Sequence, residues 1–322
     1  MPETRTLGLS WAGPSLDGRK SKAERFHIEF KLGPFLLARA PVDVTILDLG
    51  DIAVLGGETD LTHLYGEQLH LRSVPDRLSL APICREGGMF AYPFYSYDRC
   101  WVATEGDFET YLASFSKTSR KGLKRRVKQL ASMSGGALDI RHFANADVMD
   151  GFHSDARTVS AKTFQEKLMN DGLPAADAFR RYLGEMAEID ECYGSILYLD
   201  GKPISYLYCE RQGPGWLAVY GGFDPAFAKL SPGTVHLFSL LEQAFGDPDC
   251  ELFDFGPGRS DYKRFFATDS APSADVLILR NTLKNRLFVI AHRMLGKVAK
   301  CGVAIAEGLQ LKTLLRQKIR GR

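Results

Sequence analysis

Apolar and polar residues alternate in short runs over roughly the first hundred positions, as in HIEFKL, VDVTILDL, LHLRSV and MFAYPF, with Gly, Asp and Pro between the runs. A period of two predicts half-buried β-strands. From Tyr193 onward the runs YGSILYL, ISYLYCERQ and WLAVYGGF follow one another, with only the turns DGKP and GPG between them. Because connections this short join antiparallel neighbours, the pattern predicts mixed, mostly antiparallel sheets.

Helical spacing appears between these groups of strands. DFETYLASF predicts a helix with Asp107 as its cap, and SKTSRKGLKRRVKQL places Leu123, Val127 and Leu130 on one apolar stripe of a basic helix. Residues 145–189 are also helical in pattern, with an interruption around NDGLP. The chain is therefore expected to have an α/β (α+β) fold in which helices flank the sheets.

The stretch FDPAFAKLSPGTVHL leads from a strand into a helix. Proline suits the first helical position, Gly233 leaves the backbone bare, and Ser231 or Thr234 is a possible cap. Free amides at a helix start form an anion site, although an ordinary capped helix has the same pattern. Gly221 and Gly222 indicate a bulge or a close backbone approach, and a bulge there would leave the strand edge open to an extended ligand. The phosphate end of that ligand would rest on amides from 229 to 234.

Four stretches together resemble the acetyltransferase family linked to cellulose biosynthesis (CelD-like). That family belongs to the GCN5-related N-acetyltransferase (GNAT) superfamily and is close to the Fem-type peptidyltransferases. The stretches are SKTSRKGLKRRVKQL, LYLDGKPISYLY, YGGFDPAFAKLSPGTVHLFSLLEQA and FDFGPGRSDYKRFFA, which span roughly half of the chain from Ser116 to Thr268. The third is the most specific. The sequence departs from the superfamily at AKLSPGT, where a glycine-rich loop led by Arg or Gln is usual.

The resemblance implies an acyl-CoA N-acyltransferase fold that uses acetyl-CoA or another acyl-CoA and no metal. It predicts a flexible N-terminus (1–25), an acyltransferase-like half (26–115), a GNAT domain (116–280) and a basic helical tail (281–322). By analogy with Fem-type proteins, the two halves are expected to be similar. The cofactor is expected at Gly221, Gly222, Phe223, Lys229, Leu230, Ser231, Gly233 and Thr234.

Acyl transfer to an amine needs a base for the amine proton and an acid for the leaving thiolate. Asp254, in ELFDFG, is the first candidate base, and an aspartate before FGPG is equally typical of a turn cap. The resemblance makes Tyr262 the candidate acid and Glu210 a second candidate base that acts through water. A core aromatic residue and an exposed carboxylate at a strand end are the alternative interpretations of these two.

Residues on the acceptor side are expected from three places. By comparison with the family, the loop SAKTFQEKLMNDGLP faces the acceptor. A lysine after Tyr262 either binds an anionic acceptor or is solvated. The run 117–128 has seven basic residues and no acid, so it either forms a solvated face or attracts an anionic acceptor. It lacks the aromatic residues of a nucleic-acid site, and no DNA partner is expected. The candidate residues are Lys162, Thr163, Gln165, Lys263, Arg120 and Lys124.

Composition narrows the class of protein. With 45% hydrophobic residues, 25% charged residues and a net charge of +2, the chain resembles a soluble globular protein. The six cysteines form no CxxC pair, and His142, His153 and His236 lack metal-ligand spacing, so no zinc or disulfide framework is predicted. No secretory segment or spanning run is recognisable, and a cytoplasmic location is predicted.

The C-terminal tail is basic. From Val276 onward it has eleven Lys or Arg residues and the single acid Glu307, interleaved with apolar residues at helical spacing. This pattern predicts an amphipathic helix. Such a helix either contacts an anionic membrane, at its inner face, or packs on the body of the protein.

Three hypotheses follow. The first is an acyl-CoA-dependent N- or O-acyltransferase, with acetyl as the expected group, that acts on a cell-envelope or polysaccharide precursor. The second is a Fem-type peptidyltransferase that uses aminoacyl-tRNA, for which a long helical arm is expected and no long charged coiled coil is visible. The third is a catalytically silent module with the same fold.

Overall fold

The computed structural model describes residues 22–32, 35–48, 67–76, 78–81, 84, 88–169, 172–212, 214–258 and 260–308. These residues form a mixed α/β structure with mostly antiparallel strands and flanking helices, which confirms the predicted fold class. They divide into two compact units. One comprises the described parts of Met1–Tyr97 and Pro272–Arg322, and the other those of Asp98–Ala271.

The first unit is built on a sheet with the strand order β1-β2-β3-β10-β4. Strands β1 and β2 are antiparallel, β2 and β3 are parallel, and β3 and β10 are antiparallel. Its elements are β1 (Lys22–Leu32), β2 (Phe35–Asp48), β3 (Leu69–Pro75), the first part of β4 (Met89–Ala103), β10 (Asp269–Arg280) and helix α7 (Leu283–Gly308).

The second unit has the strand order β4-β9-β8-β7-β6-β5, in which β8 and β9 form a parallel pair. Its strands are the last part of β4, β5 (Asp139–Phe143), β6 (Cys192–Leu199), β7 (Lys202–Gln212), β8 (Gly215–Phe223) and β9 (Leu252–Asp254). Its helices are α1 (Phe108–Ser114), α2 (Lys117–Met133), α3 (Ala146–Ser160), α4 (Asp177–Glu188), α5 (Pro232–Gly246) and α6 (Asp261–Phe266). A π-helix (Gln165–Met169) and a 3₁₀ helix (Pro225–Leu230) complete it.

Alternate side chains of the second sheet pack into different cores, as strand geometry requires. Leu207 and Cys209 of β7 join a cluster with the buried faces of α1, α2 and α5. Tyr206 and Tyr208 of the same strand join a cluster with α3 and α4. The sheet therefore lies between two layers of helices, which is the arrangement expected from the alternation in ISYLYC.

The predicted helices of the second unit are confirmed. The carboxylate of Asp107 accepts a hydrogen bond from the amide of Thr110 and caps α1. Leu123 and Leu130 form the buried stripe of α2. The interruption predicted around NDGLP separates α3 from α4, although a π-helix that the periodicity does not show follows α3.

The predicted domain boundaries at 25, 115 and 280, and the similarity of two halves, stay predictions. The compact units divide the chain inside β4, after Tyr97, and again after Ala271. Lys22 begins β1, and Leu283 begins α7. Residues 1–21 of the predicted N-terminal segment (1–25) and residues 309–322 of the predicted tail (281–322) lie outside the described residues.

Candidate functional site

Strand β8 has an unpaired edge in its second half. It pairs with β9 only from Gly215 to Leu217 and continues along β7 as far as Phe223. Beyond β9 the chain turns at Gly256, which has a φ of +72°, and a Cβ there would lie 2.9 Å from the carbonyl oxygen of Ala218. Because the two strands stop pairing at this point, the backbone of 218–223 faces no strand among the described residues on that side.

The bulge that helps to open this edge lies at Val219. Tyr208 pairs with Tyr220 and Cys209 pairs with Ala218, so Val219 has no partner. The sequence placed the bulge at the glycine pair 221–222, and this is corrected. Both glycines pair regularly, and they serve close packing instead: a Cβ at 222 would lie 2.8 Å from the Thr163 side chain, and one at 221 would lie 2.8 Å from that of Leu207.

Helix α5 begins with two amides that have no acceptor within the helix. Ser231 precedes the helix in the left-handed conformation (φ 52°), and its side chain makes no capping hydrogen bond. Its amide donates to Ala228, Pro232 has no N–H, and the amide of Val235 donates to Ser231. Of the five amides between positions 229 and 234, helix geometry therefore leaves those of Gly233 and Thr234 at the positive end of the helix.

The surroundings of this helix start are partly apolar and partly basic. The ring of Phe223 would lie 3.1 Å from a Cβ at position 233, so the glycine permits this contact. Lys229 is exposed, whereas Leu230 packs beside α2 in a cluster with Leu130. Arg120 precedes Leu130 by ten residues, roughly 15 Å along α2, and its guanidinium donates to Ala113. Among the described residues, neither Arg120 nor the exposed Lys124 forms a hydrogen bond or an ion pair with the helix start.

The predicted acceptor loop is tied to the 3₁₀ helix. The ammonium group of Lys162 lies 2.7 Å from the carboxylate of the buried Asp224, which also accepts from the Ala226 amide. Burial raises the pKa of Asp224, but these two hydrogen bonds outweigh it and hold that pKa below its ordinary value. Thr163 is buried, and its hydroxyl donates to Ser160. Gln165 is exposed.

Asp254 forms a buried ion pair with Arg99, whose side chain is fully buried. One carboxylate oxygen lies 2.7 Å from Nη2 and 2.9 Å from Nε of Arg99. The other oxygen accepts from the amide of Gly256 at 2.8 Å. Since both oxygens already accept hydrogen bonds from Arg99 or Gly256, this arrangement suits a structural link at the end of β9 better than a general base.

Two neighbours on α6 have different surroundings. Lys263 is buried and donates to the carbonyl oxygens of Gly256 and Pro257, so it is neither solvated nor directed at an acceptor. Burial lowers the pKa of Lys263 to about 8. Tyr262 is half exposed and contacts Phe255, with 6.2 Å between the ring centroids. The Tyr262 phenol has an ordinary pKa of about 10, and the burial of part of the side chain raises that pKa further, so the hydroxyl is protonated at neutral pH.

Glu210 lies on the sheet face that carries α3 and α4. The hydroxyls of Tyr182 and Tyr208 donate to its Oε1 at 2.9 and 3.1 Å. It follows Cys209, which lies opposite the bulge, and it borders a cleft of about 470 Å³ at that end of the sheet. It is four residues beyond Tyr206, the partner of Gly222, which corresponds to about 13 Å along the strand. Glu210 and the start of α5 therefore lie at opposite ends of the unpaired edge.

A buried polar chain ends at the same edge. Ser195, His236 and Ser205 are at most 1% exposed. The Ser205 hydroxyl donates to the carbonyl of Gly222 at 3.0 Å, so its oxygen accepts from Nδ1 of His236 at 3.1 Å. Nε2 of that ring then accepts from Ser195 at 2.7 Å. This assignment gives His236 one neutral tautomer and satisfies both nitrogens.

The outer end of this chain reaches exposed residues. The amide of Gln243 donates to Nε2 of His142 at 2.8 Å, which leaves the Nδ1 proton of that ring for Tyr193 and Ser195. The hydroxyl of Tyr193 donates back to Gln243. Hydrogen bonds thus run in one direction from the surface to the backbone of β8, and they fix the carbonyl of Gly222 in place.

His236 is expected to make stability depend on pH. Burial lowers its pKa to about 3, whereas an unfolded histidine has a pKa near 6.5. Below about pH 6.5 only the unfolded state binds the proton, so the free energy of unfolding falls towards acid by up to about 1.4 kcal/mol per pH unit. Urea unfolding across this range should show a smaller slope for His236→Gln than for wild type. His153→Gln is the control, and it should keep the slope of the wild-type protein. If His236→Gln also has the wild-type slope, the prediction is wrong.

Sequence reasoning missed Arg99 and the two serines of the polar chain. Each is a polar residue inside an apolar strand pattern: YDRCWVA, YGSILYL and ISYLYC. A buried polar residue needs a partner, so these positions signal that partners exist but not which ones. The partner of Arg99 is 155 residues away in the chain.

The described residues contain no group of three or more His, Cys, Asp or Glu that could hold a metal ion. Five free cysteines are described, four of them buried. Within the same residues, no helix combines the length and the hydropathy that a membrane-spanning segment needs.

Residues 117–264 match the family model described as "Acetyltransferase (GNAT) domain", and no curated protein sequence is significantly similar to the chain. Three solved structures are similar at low identity. The C-terminal DUF2156 domain of a provisionally named lysylphosphatidylglycerol synthetase from Agrobacterium fabrum is 12% identical, with 71% of this chain and 73% of that one covered and a TM-score of 0.47. For FemX the identity is 9%, the coverages are 70% and 74%, and the TM-score is 0.46. A GCN5-related N-acetyltransferase from Kribbella flavida is 12% identical, with 68% of this chain and 70% of that one covered and a TM-score of 0.36.

None of these TM-scores reaches 0.5, so nothing about the activity of this chain follows from the three structures. The matched segment, in contrast, coincides with most of the second unit and contains the open edge of β8, the start of α5 and Tyr262. The CelD-like family named by the sequence resemblance is not confirmed. Residues 117–264 are therefore similar to a GNAT acetyltransferase domain.

Proposed function

We propose that the second unit transfers an acyl group, with acetyl as the expected one, from acyl-CoA to an amine or hydroxyl group of a cell-envelope or polysaccharide precursor. The observation that carries this proposal is the unpaired edge of β8 next to a helix start without a side-chain cap. An extended chain with amide groups can add to a strand edge by backbone hydrogen bonds. A pyrophosphate at its end can rest on the amides of α5.

The residues present fit such a ligand, with fewer amides than the sequence suggested. Gly221, Gly222 and Phe223 form the last part of the edge. Gly233 and Thr234 provide the two amides, and the hydroxyls of Ser231 and Thr234 and the exposed ammonium of Lys229 lie in the same stretch. Because Pro232 has no N–H, this helix start offers one amide fewer than a glycine-rich loop. The positive charge of Lys229 would therefore contribute more to binding the phosphates.

The chemistry requires two proton transfers. The acceptor nitrogen or oxygen attacks the thioester carbonyl, the C–S bond breaks, a proton leaves the acceptor, and the thiolate gains one. We assign the second proton to Tyr262, which is protonated at neutral pH and lies beside the exit of β9. Glu210 follows Cys209, which lies opposite the bulge, and it is our candidate for the base that receives the proton from the acceptor. Asp254 keeps the end of β9 in place.

The acceptor is proposed to be anionic because α2 exposes most of its basic residues on the side opposite its buried stripe. A surface with one sign of charge raises the local concentration of a ligand of opposite sign. Arg120 and Lys124 would act in this way through their charge, since neither forms a hydrogen bond or an ion pair with the helix start among the described residues. Lys162, Thr163 and Gln165 would shape the acceptor side through the position of their loop.

Gly233→Glu is expected to weaken CoA binding about tenfold or more, because a carboxylate beside the two amides repels the phosphates and competes for the helix start. Gly233→Ala is the matched control, since it adds the same Cβ near Phe223 without the charge. Calorimetry measures both affinities. Equal CoA affinity in a folded Gly233→Glu protein would place the phosphates elsewhere.

Thermal stabilisation by acetyl-CoA, longer acyl-CoAs and free CoA tests the proposal directly, because a ligand that binds only the folded state raises the melting temperature. We expect all three to stabilise the protein and the chain length of the preferred acyl group to give the largest shift. No stabilisation by any of them would overturn the acyl-CoA proposal. The aminoacyl-tRNA and silent-module hypotheses would then be the ones to test.

A further inference from the structure

Helix α7 has two apolar faces, and only one of them is packed against other described residues. Phe288 and Val289 join a core cluster with Ile28, Val44 and Leu277 of the first unit. The opposite face carries a stripe of large apolar side chains that are between 55% and 74% exposed. They fall within an arc of about 80° on the helix. The stripe consists of Leu283, Leu287, Ile290, Met294 and Val298.

Cations border this stripe. On the helix surface Arg286, Arg293 and Lys297 lie along one side of it and Lys284 along the other, and all four are exposed. The sequence has no Asp or Glu between Arg280 and Glu307. The stripe therefore has a uniformly positive border over the whole length in which its side chains are described.

The stripe is a ridge and not a groove. A convex row of aliphatic side chains offers no pocket to a protein partner, which would need a complementary hollow to bury it. The boundary between lipid headgroups and acyl chains accepts such a ridge without a fixed shape, and anionic headgroups match the flanking cations. Nucleic acid would pair with the cations but would leave the apolar stripe in water.

We infer that α7 binds the surface of an anionic membrane, with the stripe inserted among the lipids and the cations at the headgroups. The inner face of α7 stays packed on its own unit through Phe288, Val289 and the hydrogen bond between His292 and Tyr92. This inference does not depend on acyl transfer, because it rests on the first unit alone. The two alternatives predicted for the tail are thereby combined, because the inner face of α7 packs on the body of its unit and its outer face binds lipid.

The full-length protein should float with vesicles of phosphatidylcholine mixed with phosphatidylglycerol and not with vesicles of phosphatidylcholine alone. Each cation near an anionic surface contributes about a fivefold gain in affinity. Replacing Lys284, Arg286 and Lys297 with Gln should therefore weaken binding on the order of a hundredfold. Added salt should likewise weaken the binding of the wild-type protein to anionic vesicles. Equal binding to both kinds of vesicle would overturn the inference.

The stripe is tested by Leu287→Ser, Ile290→Ser and Met294→Ser in one variant. All three positions are exposed, so the fold should persist, which circular dichroism checks. The matched control is Val148→Ser, at an exposed aliphatic residue of α3. We expect the stripe variant to lose vesicle binding and the control to keep it. A stripe variant that still binds anionic vesicles, or a wild-type protein that forms a dimer through the stripe and ignores vesicles, would overturn the inference.

Discussion

Arg99→Met should lower the free energy of unfolding by about 3–5 kcal/mol, the range expected when one member of a buried ion pair is removed. Arg99 is fully buried and Asp254 is 5% exposed. Without the guanidinium, the Asp254 carboxylate keeps one backbone amide as its donor, and its charge is left in a poorly solvated place. Because methionine fills much of the volume of arginine, the loss of stability comes from the missing charge more than from a cavity. Urea unfolding followed by circular dichroism measures the change.

Arg180→Met is the control for this substitution. Arg180 lies 3.0 Å from Asp150 in an ion pair whose side chains are 42% and 71% exposed. Exposed pairs of this kind contribute about 0–1 kcal/mol. If Arg99→Met costs no more than Arg180→Met, the Arg99–Asp254 pair does not hold the end of β9.

Asp254→Asn separates the two roles considered for this aspartate. A structural link predicts a loss of stability of similar size to that in Arg99→Met, because the guanidinium is then left buried without its counter-charge. A general base predicts a loss of turnover in a protein that is as stable as wild type. The surroundings of Asp254 in the ion pair lead us to expect the first result.

The start of α5 was predictable because its signals are local. Proline at the first helical position and a glycine beside it are read directly from KLSPGT. The left-handed conformation of Ser231, which removes the side-chain cap, was not predictable. Ser231 joins the end of the 3₁₀ helix to the start of α5, and the residue types at this junction do not specify its backbone conformation.

The position of the bulge shows that a local sequence pattern does not determine the pairing register of two strands. Glycines in a strand suggest either a bulge or a close approach. Here the close approach of Thr163 and Leu207 explains the glycines, while the bulge lies at Val219. The choice is made by side chains on another strand and on a loop. Valine is common in regular strands, so the identity of Val219 does not indicate a bulge.

The ion pair at the end of β9 joins residues that are far apart in the chain. ELFDFG predicts a strand and a polar group at its end, and both are present. The pattern YDRCWVA contains an arginine that has to find a buried partner, but a single sequence does not indicate that the partner is Asp254. The function first assigned to that aspartate followed from the strand end alone, without knowledge of its neighbour.

Tyr262→Phe is expected to lower kcat by about 10²–10⁴-fold with little change in acyl-CoA affinity, the range for the loss of one positioned acid. The substitution removes the hydroxyl and keeps the ring against Phe255. Because the side chain is 48% exposed, stability should change little. Thiol release from acetyl-CoA, followed with a panel of amine and hydroxyl acceptors, measures the rate. Tyr95→Phe is the matched control, since Tyr95 is a partly exposed tyrosine of the first unit.

The acid role also predicts how the loss depends on the leaving group. An alkyl thiolate needs a proton as the C–S bond breaks, whereas the less basic thiolate of an aromatic thiol leaves without one. Acetyl thioesters of aromatic thiols should therefore react with Tyr262→Phe at nearly the wild-type rate, while acetyl-CoA should not. If both kinds of thioester lose rate equally, the Tyr262 hydroxyl positions the substrate. If neither loses more than the Tyr95→Phe control, another group protonates the thiolate.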